Sequence, residues 1–401
     1  MTKLEELKEA QKRMENVLNV TPCDYSSTYS NITGGEIFLK LENLQRTGSF
    51  KVRGAYNKIG SIKQKNASVI ASSGANHARG VAFSASKFER SATIVLPKST
   101  TLEKTLAPKN YGADVILAGE NFDESYIYAQ ELQEKNKHHF IHPFDDPKVI
   151  TGYGTIALEM LEALPDLQTI VVPVGGGGLI SGISIAAKLI NPDIKIIGVQ
   201  TSSSNAMKQS LDKGAIYEIE HPNTFADAVA TRQICKRTYS TIKKYVDEIV
   251  VVDDEEIASV ILMMLERSKL LAEGAGAMAL TAALYGKISL HGMKTGLVIS
   301  GGNIDMNLLA GIIEQGLVKE GRMAHIIVDL PDVPGALSML TGIIGSSEVN
   351  ILDIKQQSGS TELPFGQTKM DLKLEVNGFA QVDSLLKELK SKGYELEVKP
   401  G

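Results

Sequence analysis

The sequence predicts an α/β protein built on a mostly parallel sheet with helices on both faces, followed by a smaller α+β unit. Three observations carry this. Between Ala67 and Ser300, short apolar runs alternate with stretches of helical length, and such alternation makes strands run parallel. After Gly321 the rhythm changes to β-α-β-β-α-β, the ferredoxin-like split arrangement. A chain of 401 residues also exceeds what one core accommodates, so two or three domains are expected.

The elements follow in order. Residues 3–18 are expected to be helical, with Leu4, Leu7, Met14 and Leu18 on or near one face. Val20-Thr21-Pro22 ends that helix, because proline restricts the residue before it. Ile37, Leu39 and Leu41 alternate with polar neighbours and predict a strand. It leads through Thr47-Gly48-Ser49 into a helix, with Ser49 as its N-cap. Lys51 then lies in the first turn, beside unpaired backbone N–H groups and positive dipole, which disfavour an ammonium. Ala67–Ala71, Thr93–Pro97 and Ala113–Leu117 read as strands; Asn76–Lys87, Leu102–Tyr111 and 122–135 read as helices. Gly152–Leu164 is expected to be helical, Thr169–Val174 a strand, Leu179–Ile190 a helix and Ile194–Val199 a strand. Residues 200–250 carry a weak pattern apart from a helix near 238–246. Helices at 254–269 and 275–285 precede the strand Leu297–Ser300. The last unit reads His325–Asp329, Gly335–Gly345, Val349–Gln356, Gln367–Glu375, Ala380–Lys392 and Glu395–Lys399.

The totals narrow the classes of function. A net charge of −5 leaves no basic footprint for nucleic acid. No apolar run approaches membrane-spanning length, and the charged, amphipathic start is unlike a signal peptide. Two cysteines, Cys23 and Cys235, build no disulfide framework. A cytoplasmic protein with no membrane partner is expected. The histidines show no zinc spacing, and no metal site is expected.

Four segments carry chemistry. Pro173-Val174-Gly175-Gly176-Gly177-Gly178 follows a strand and opens a helix. Its backbone N–H groups make an anion site, while G-x-G-x-x-G and G-x-x-x-x-G-K-[ST] are both absent. Ser72-Ser73-Gly74-Ala75-Asn76-His77 lies between a strand and a helix, where Ser73 and Asn76 suit capping. Ser300-Gly301-Gly302-Asn303 sits at a strand's carboxyl end, the edge that faces ligand crevices in open sheets. Glu273 opens a tight turn into a helix, where a carboxylate complements the dipole. A lysine held neutral, as Lys51 would be, is what Schiff-base chemistry needs.

Leu39–Ala55, with Ser49-Phe50-Lys51 at its centre, resembles the lysine segment of the threonine dehydratase family, pyridoxal phosphate enzymes of fold type II. The tetraglycine loop and Ser72–His77 resemble the same family, and the likeness runs from about Thr21 to Pro400. It implies two open, mostly parallel sheets of the tryptophan synthase β-like type. The catalytic domain would be 1–320, with a small subdomain nested at about 45–150. Asp329–Leu337 looks like the first strand and loop of an ACT domain, so 323–401 would be an ACT-like regulatory unit.

The resemblance also implies site roles. Lys51 would carry pyridoxal 5′-phosphate and act in catalysis, with Phe50 beside it. Gly175, Gly176, Gly177 and Gly178 would hold the phosphate, Asn76 the ring hydroxyl and Ser300 the ring nitrogen. Glu273 would lie near the cofactor. Ser72, Ser73, Gly74, Ala75 and His77 would form the substrate-carboxylate loop, with Ser73 also catalytic. The chain departs from the family pattern at Ala75 and Ala228, where glycines are usual, at Tyr153 for a glutamine, and along Thr231–Cys235. Gln200 replaces the metal-ligating glutamate of related racemases. The implied reaction is deamination of L-threonine to 2-oxobutanoate and ammonia, with L-serine to pyruvate as a secondary activity. Serine racemase, hydroxyaspartate dehydratase and a non-catalytic amino-acid sensor are the alternatives. Isoleucine or valine as effector at the ACT-like unit, and a homodimer or homotetramer, are further expectations.

Overall fold

The computed structural model describes residues 2–73, 75–357 and 364–399. Two compact units divide the chain, one ending at Ile304 and the other beginning at Asp305.

The first unit contains two sheets. The larger has the order Cys23–Tyr25, Glu36–Leu41, Lys294–Ile299, Thr169–Pro173, Lys195–Thr201, Glu248–Val252. Only the Cys23–Tyr25 edge pairs antiparallel; the other pairings are parallel. The smaller sheet has the order Asp114–Leu117, Ala92–Leu96, Val69–Ser72, His139–Phe140, and is parallel throughout. Thr169–Pro173 and Val69–Ser72 are buried at every position, as expected of strands covered on both faces. Ile170, Val172, Ile180, Ile183, Ile196 and Met160 belong to the core around the larger sheet. Ile59, Val69, Val81, Ile94 and Leu96 belong to the core around the smaller.

This topology places four chain reversals at strand carboxyl ends. Val69–Ser72 delivers Ser73, Thr169–Pro173 delivers the glycine loop, Lys294–Ile299 delivers Ser300, and Glu36–Leu41 leads towards Lys51.

Several elements differ from the sequence expectation. The first helix spans Leu4–Met14, not 3–18, because Glu15 leaves the helical region and Asn16 takes φ +62°. The helix expected at 152–164 spans Pro147–Ala163. Asp146 caps it, accepting from the N–H groups of Lys148 (2.8 Å) and Val149 (3.2 Å), and Pro147 fits the first turn. The helix Asp254–Met263 continues as a π turn, Met264–Ser268, ended by Lys269 at φ +57°. The short strands Cys23–Tyr25 and His139–Phe140 and the helices Ser27–Thr33 and Ala206–Lys213 had too little periodicity to be read.

The second unit is antiparallel, ordered Asn350–Gln357, Gln367–Glu375, Met323–Pro331, Leu396–Val398. With the helices Ala336–Ser346 and Phe379–Ser391 it makes the split β-α-β-β-α-β arrangement. Ile326, Val328, Leu340, Leu372 and Leu389 are buried in its core. The helix Met306–Lys319 belongs to this unit as well. It packs on Met323–Pro331, and Glu314 pairs with Lys373 at 2.5 Å. The division therefore falls before that helix, whereas the sequence rhythm sets it between 320 and 323.

Candidate active site

Lys51 is the first residue of the helix Lys51–Gly60, and Phe50 holds the N-cap position with helical dihedrals. Ser49 is not the cap. Its Oγ is buried without a hydrogen-bond partner among the described residues, while the Phe50 N–H donates to the Ser300 carbonyl at 3.1 Å. That bond fastens the lysine segment to the end of the strand Lys294–Ile299.

The Lys51 helix is anchored by a buried ionic cluster. Arg53 grips Glu42 with two 2.8 Å bonds, and reaches Glu159 at 2.6 and 2.8 Å. Lys40 pairs with Glu159 at 2.5 Å, and Thr21 donates to Glu42 at 2.5 Å. Burial alone would raise the Glu42 pKa, but the Arg53 guanidinium, with Lys40 and Thr21, holds it below the ordinary range. Two cations and two carboxylates thus tie Glu36–Leu41, Lys51–Gly60 and Pro147–Ala163 together.

A pocket opens where these elements meet. Phe50, Lys51, Asn76, Gly175, Gly176, Gly177, Gly178, Glu273 and Ser300 all line it. The Lys51 Nζ donates to the Pro143 carbonyl at 3.2 Å, and the Tyr153 hydroxyl donates to the same oxygen at 2.9 Å. Burial lowers the Lys51 pKa to about 8, against the opposing charge of Glu273. Burial raises Glu273 to about 7, although the Asn76 amide, donating at 2.7 Å, pulls it the other way. Amine and carboxyl thus sit near neutrality in one cavity, where proton exchange is easiest.

The glycine loop is shaped as a cradle. A β-carbon at Gly176 would lie 2.6 Å from the Phe144 ring, and Gly177 has φ +85°. The helix Gly178–Ile190 follows with no side-chain cap among the described residues. Its first N–H groups therefore face the cavity without intrahelical partners.

The substrate-carboxylate loop is less direct. Among the described residues, Ser72, Ser73, Ala75 and His77 are outside the cavity lining, and Gly74 lies outside the described residues. Neither Ser73 nor Asn76 caps the helix Asn76–Lys87; Ala75 holds the N-cap position at φ −158°. That φ lies outside the left-handed region that favours glycine. His77 is a packed histidine: it is 1% exposed, and its Nε2 bonds the Ile141 carbonyl at 2.7 Å. Burial lowers its pKa to about 3, which keeps it neutral.

Other lining residues carried little sequence signal. Phe144 comes from an irregular loop, and Ala228 and Val229 from the short 3-10 turn Asp227–Val229. Tyr153 stacks edge-on against Phe50, with centroids 4.8 Å apart. Gln200 is 1% exposed, with its Oε1 accepting from the Lys208 N–H at 2.8 Å. Among the described residues no helix is long and apolar enough to cross a membrane.

Comparison with known proteins agrees with this geometry. Residues 14–301 match the model of the pyridoxal-phosphate dependent enzyme family. The L-threonine ammonia-lyase of Thermotoga maritima is 48% identical over 400 residues, covering 99% of this chain and 100% of that protein. The processed form of threonine deaminase isoform 2 from Solanum lycopersicum superposes with a TM-score of 0.73 at 34% identity, over 78% of this chain and 89% of that one. Maize serine racemase gives 0.74 at 33% identity, over 79% and 98%. With its family model covering most of the sequence and its lysine facing a glycine cradle, the chain belongs to the pyridoxal-phosphate dependent enzymes.

Proposed function

We propose that this protein deaminates L-threonine to 2-oxobutanoate and ammonia, and L-serine to pyruvate as a secondary activity. The observation that carries the reading is the convergence of Lys51, the Gly175–Gly178 loop and Ser300 on one cavity. Identity of 48% to an L-threonine ammonia-lyase across the whole chain supports it.

The residues fit pyridoxal phosphate. The glycine cradle, where a β-carbon at Gly176 or Gly178 would collide with Phe144, and the first N–H groups of Gly178–Ile190 would hold its phosphate. Ser300 would meet the ring nitrogen with a neutral hydroxyl, and Asn76 the ring hydroxyl. When bound, the cofactor supplies the electron sink that lets the α-proton and then the β-hydroxyl depart. Lys51 does two jobs at one atom. With a pKa near 8, its Nζ is neutral often enough near pH 7 to anchor the cofactor, and afterwards to take the α-proton of the substrate. The Pro143 carbonyl holds that Nζ in reserve, and the Tyr153 hydroxyl fixes the carbonyl in turn. Ser72, Ser73, Gly74 and Ala75 would receive the substrate carboxylate, Ser73 also acting in catalysis. His77 would hold the loop in place from behind through the Ile141 carbonyl.

The unit beginning at Asp305 would bind an amino-acid effector, isoleucine or valine, as an ACT-like module. Its two sheet edges, Asn350–Gln357 and Leu396–Val398, favour pairing with a second copy and so a homodimer or homotetramer.

The deciding experiment supplies purified holoenzyme with L-threonine, L-serine or 3-hydroxyaspartate and identifies the products. 2-Oxobutanoate and ammonia from threonine, lost in Lys51→Ala, support the reading. D-serine as the main product from L-serine would replace it with a racemase.

A further inference from the structure

Asn76 and Glu273 line the cavity, but what orients them lies outside it. The Asn76 Nδ2 donates to Glu273 Oε1 at 2.7 Å, and its Oδ1 accepts from Asn303 Nδ2 at 2.6 Å. Asn303 Nδ2 also donates to the Thr47 carbonyl at 2.9 Å, while its Oδ1 accepts from Arg79 Nη1 at 2.6 Å. Arg79 is held at its far side by Glu103, 3.0 Å from Nη2.

The direction of this chain is fixed at both ends by chemistry. Arginine only donates, so the Asn303 oxygen must face Arg79. The Thr47 carbonyl only accepts, so the Asn303 NH₂ must face it. That NH₂ then meets Asn76, whose oxygen must turn towards it. The NH₂ of Asn76 is left for Glu273. Reversing Asn76 would set like against like at two contacts and reversing Asn303 at three, at the cost of unpaired polar groups.

Building on the assignment of this cavity to the cofactor, we propose that Arg79 and Asn303 are positioning residues that set the polarity of the cavity wall. They hold the Asn76 amide with its NH₂ on the Glu273 carboxylate. In that orientation the wall presents a fixed acceptor at Glu273, with the carboxylate stabilised against protonation. Neither residue lines the cavity. Their influence passes along one hydrogen-bonded line from the helix Asn76–Lys87 to the turn at Glu273.

The informative variant is Asn303→Asp, which is nearly isosteric. It keeps the acceptor for Arg79 but loses the donor to the Thr47 carbonyl, so a purely structural role predicts a changed Tm with the Glu273 titration and cofactor affinity unmoved. A polarity role predicts the reverse outcome in the cavity. The carboxylate introduced by Asn303→Asp has no donor for Asn76, so the Asn76 amide turns over and presents its oxygen to Glu273. Two readouts follow. In apoprotein carrying ¹³C-labelled glutamate, the Glu273 carboxyl titrates about one unit higher in Asn303→Asp than in the parent. The other charges facing Glu273, namely Asp227, Lys51 and Lys104, are the same in both proteins. In titrations with pyridoxal phosphate, the variant binds about tenfold more weakly. Adding Glu273→Gln restores complementarity, because the side-chain amide it introduces donates to the inverted Asn76, and affinity returns towards that of Glu273→Gln alone. Arg79→Lys retains a donor and keeps parental titration and affinity, whereas Arg79→Met frees the Asn303 oxygen while the Thr47 carbonyl still holds its NH₂, and shifts both in the same direction as Asn303→Asp by less. An unmoved Glu273 titration in Asn303→Asp and Arg79→Met overturns the proposal, whatever the cofactor does. Absence of cofactor binding in the parent protein overturns the cofactor assignment instead, and leaves the apoprotein titration to decide the relay.

Discussion

Lys51 is held where an ammonium is poorly solvated, and this has a cost for the fold that can be measured. Its pKa falls from 10.5 to about 8. Below pH 8 the folded protein carries a charge that its surroundings oppose, and the penalty fades as pH rises from about 8 to 10.5. Lys51→Met should therefore stabilise the apoprotein at pH 7 by roughly 2 kcal/mol, allowing for the part of the residue that meets solvent. Its advantage over the parent should shrink towards pH 10.5 in denaturant titrations, while turnover is lost. Glu273 has the opposite sign. Its pKa is raised from 4.5 to about 7, so its penalty appears as pH climbs through that window, and Glu273→Gln should gain on the parent there. A Glu273→Gln variant that loses stability relative to the parent across that window would contradict the burial argument. Ala75 stands where the family resemblance implies a glycine. Its φ of −158° lies outside the region that favours glycine, so Ala75→Gly should change kcat/KM by less than about twofold.

At the scale of elements, the lysine helix and the glycine cradle are held by different means. The lysine helix depends on the Arg53–Glu42–Glu159–Lys40 cluster. Arg53→Met would leave two buried carboxylates short of a partner and should cost about 3–5 kcal/mol, read as a fall in unfolding free energy. The cradle depends on missing side chains. Gly176→Val puts its side chain against Phe144, whose ring would lie 2.6 Å from the new β-carbon. It should weaken pyridoxal phosphate binding at least about tenfold while costing the apoprotein only about 1–3 kcal/mol. Unchanged affinity would move the phosphate elsewhere. These features differ in how legible they were. The glycine loop, Ser300 and the lysine segment are local patterns, each a strand end followed by special turn chemistry, and they read directly from residue types. Arg53 and Glu159 are 106 positions apart, and nothing local marks Lys40, inside an apparently ordinary strand, as buried and paired. Phe144, the Pro143 carbonyl and the Asn303–Arg79 contact were hidden for the same reason. The start of the helix Pro147–Ala163 was missed because its first turn is set by Asp146 and Pro147, not by apolar periodicity.

At the scale of the molecule, regulation is a question about the unit beginning at Asp305. Its first strand, Met323–Pro331, alternates buried and part-buried residues and leads into a turn, Pro331 to Gly335, ahead of the helix Ala336–Ser346. Asp332 donates its N–H to the Gly366 carbonyl at 2.8 Å, which fixes one side of that turn. At the start of the next strand, the Asn350 amide donates to Glu375 at 3.0 Å. Val333, Leu337 and Met339 are exposed around the turn and suit the side chain of a branched apolar amino acid. An effector there shifts activity only by its difference in affinity between two states, typically ~1–3 kcal/mol of coupling. The expected outcome is a change of about five- to hundredfold in the threonine concentration for half-saturation when isoleucine or valine is added. Val333→Asp in the full chain should remove that response and leave activity without effector unchanged, because the substitution lies in the other compact unit from the cavity. A chain ending at Ile304, the observed division, should keep turnover and lose the response. Threonine saturation curves with and without each branched amino acid decide the matter: a response that persists in Val333→Asp and in the shortened chain would place the effector site in the first unit, and no response in the full chain would leave the second unit a role in assembly alone.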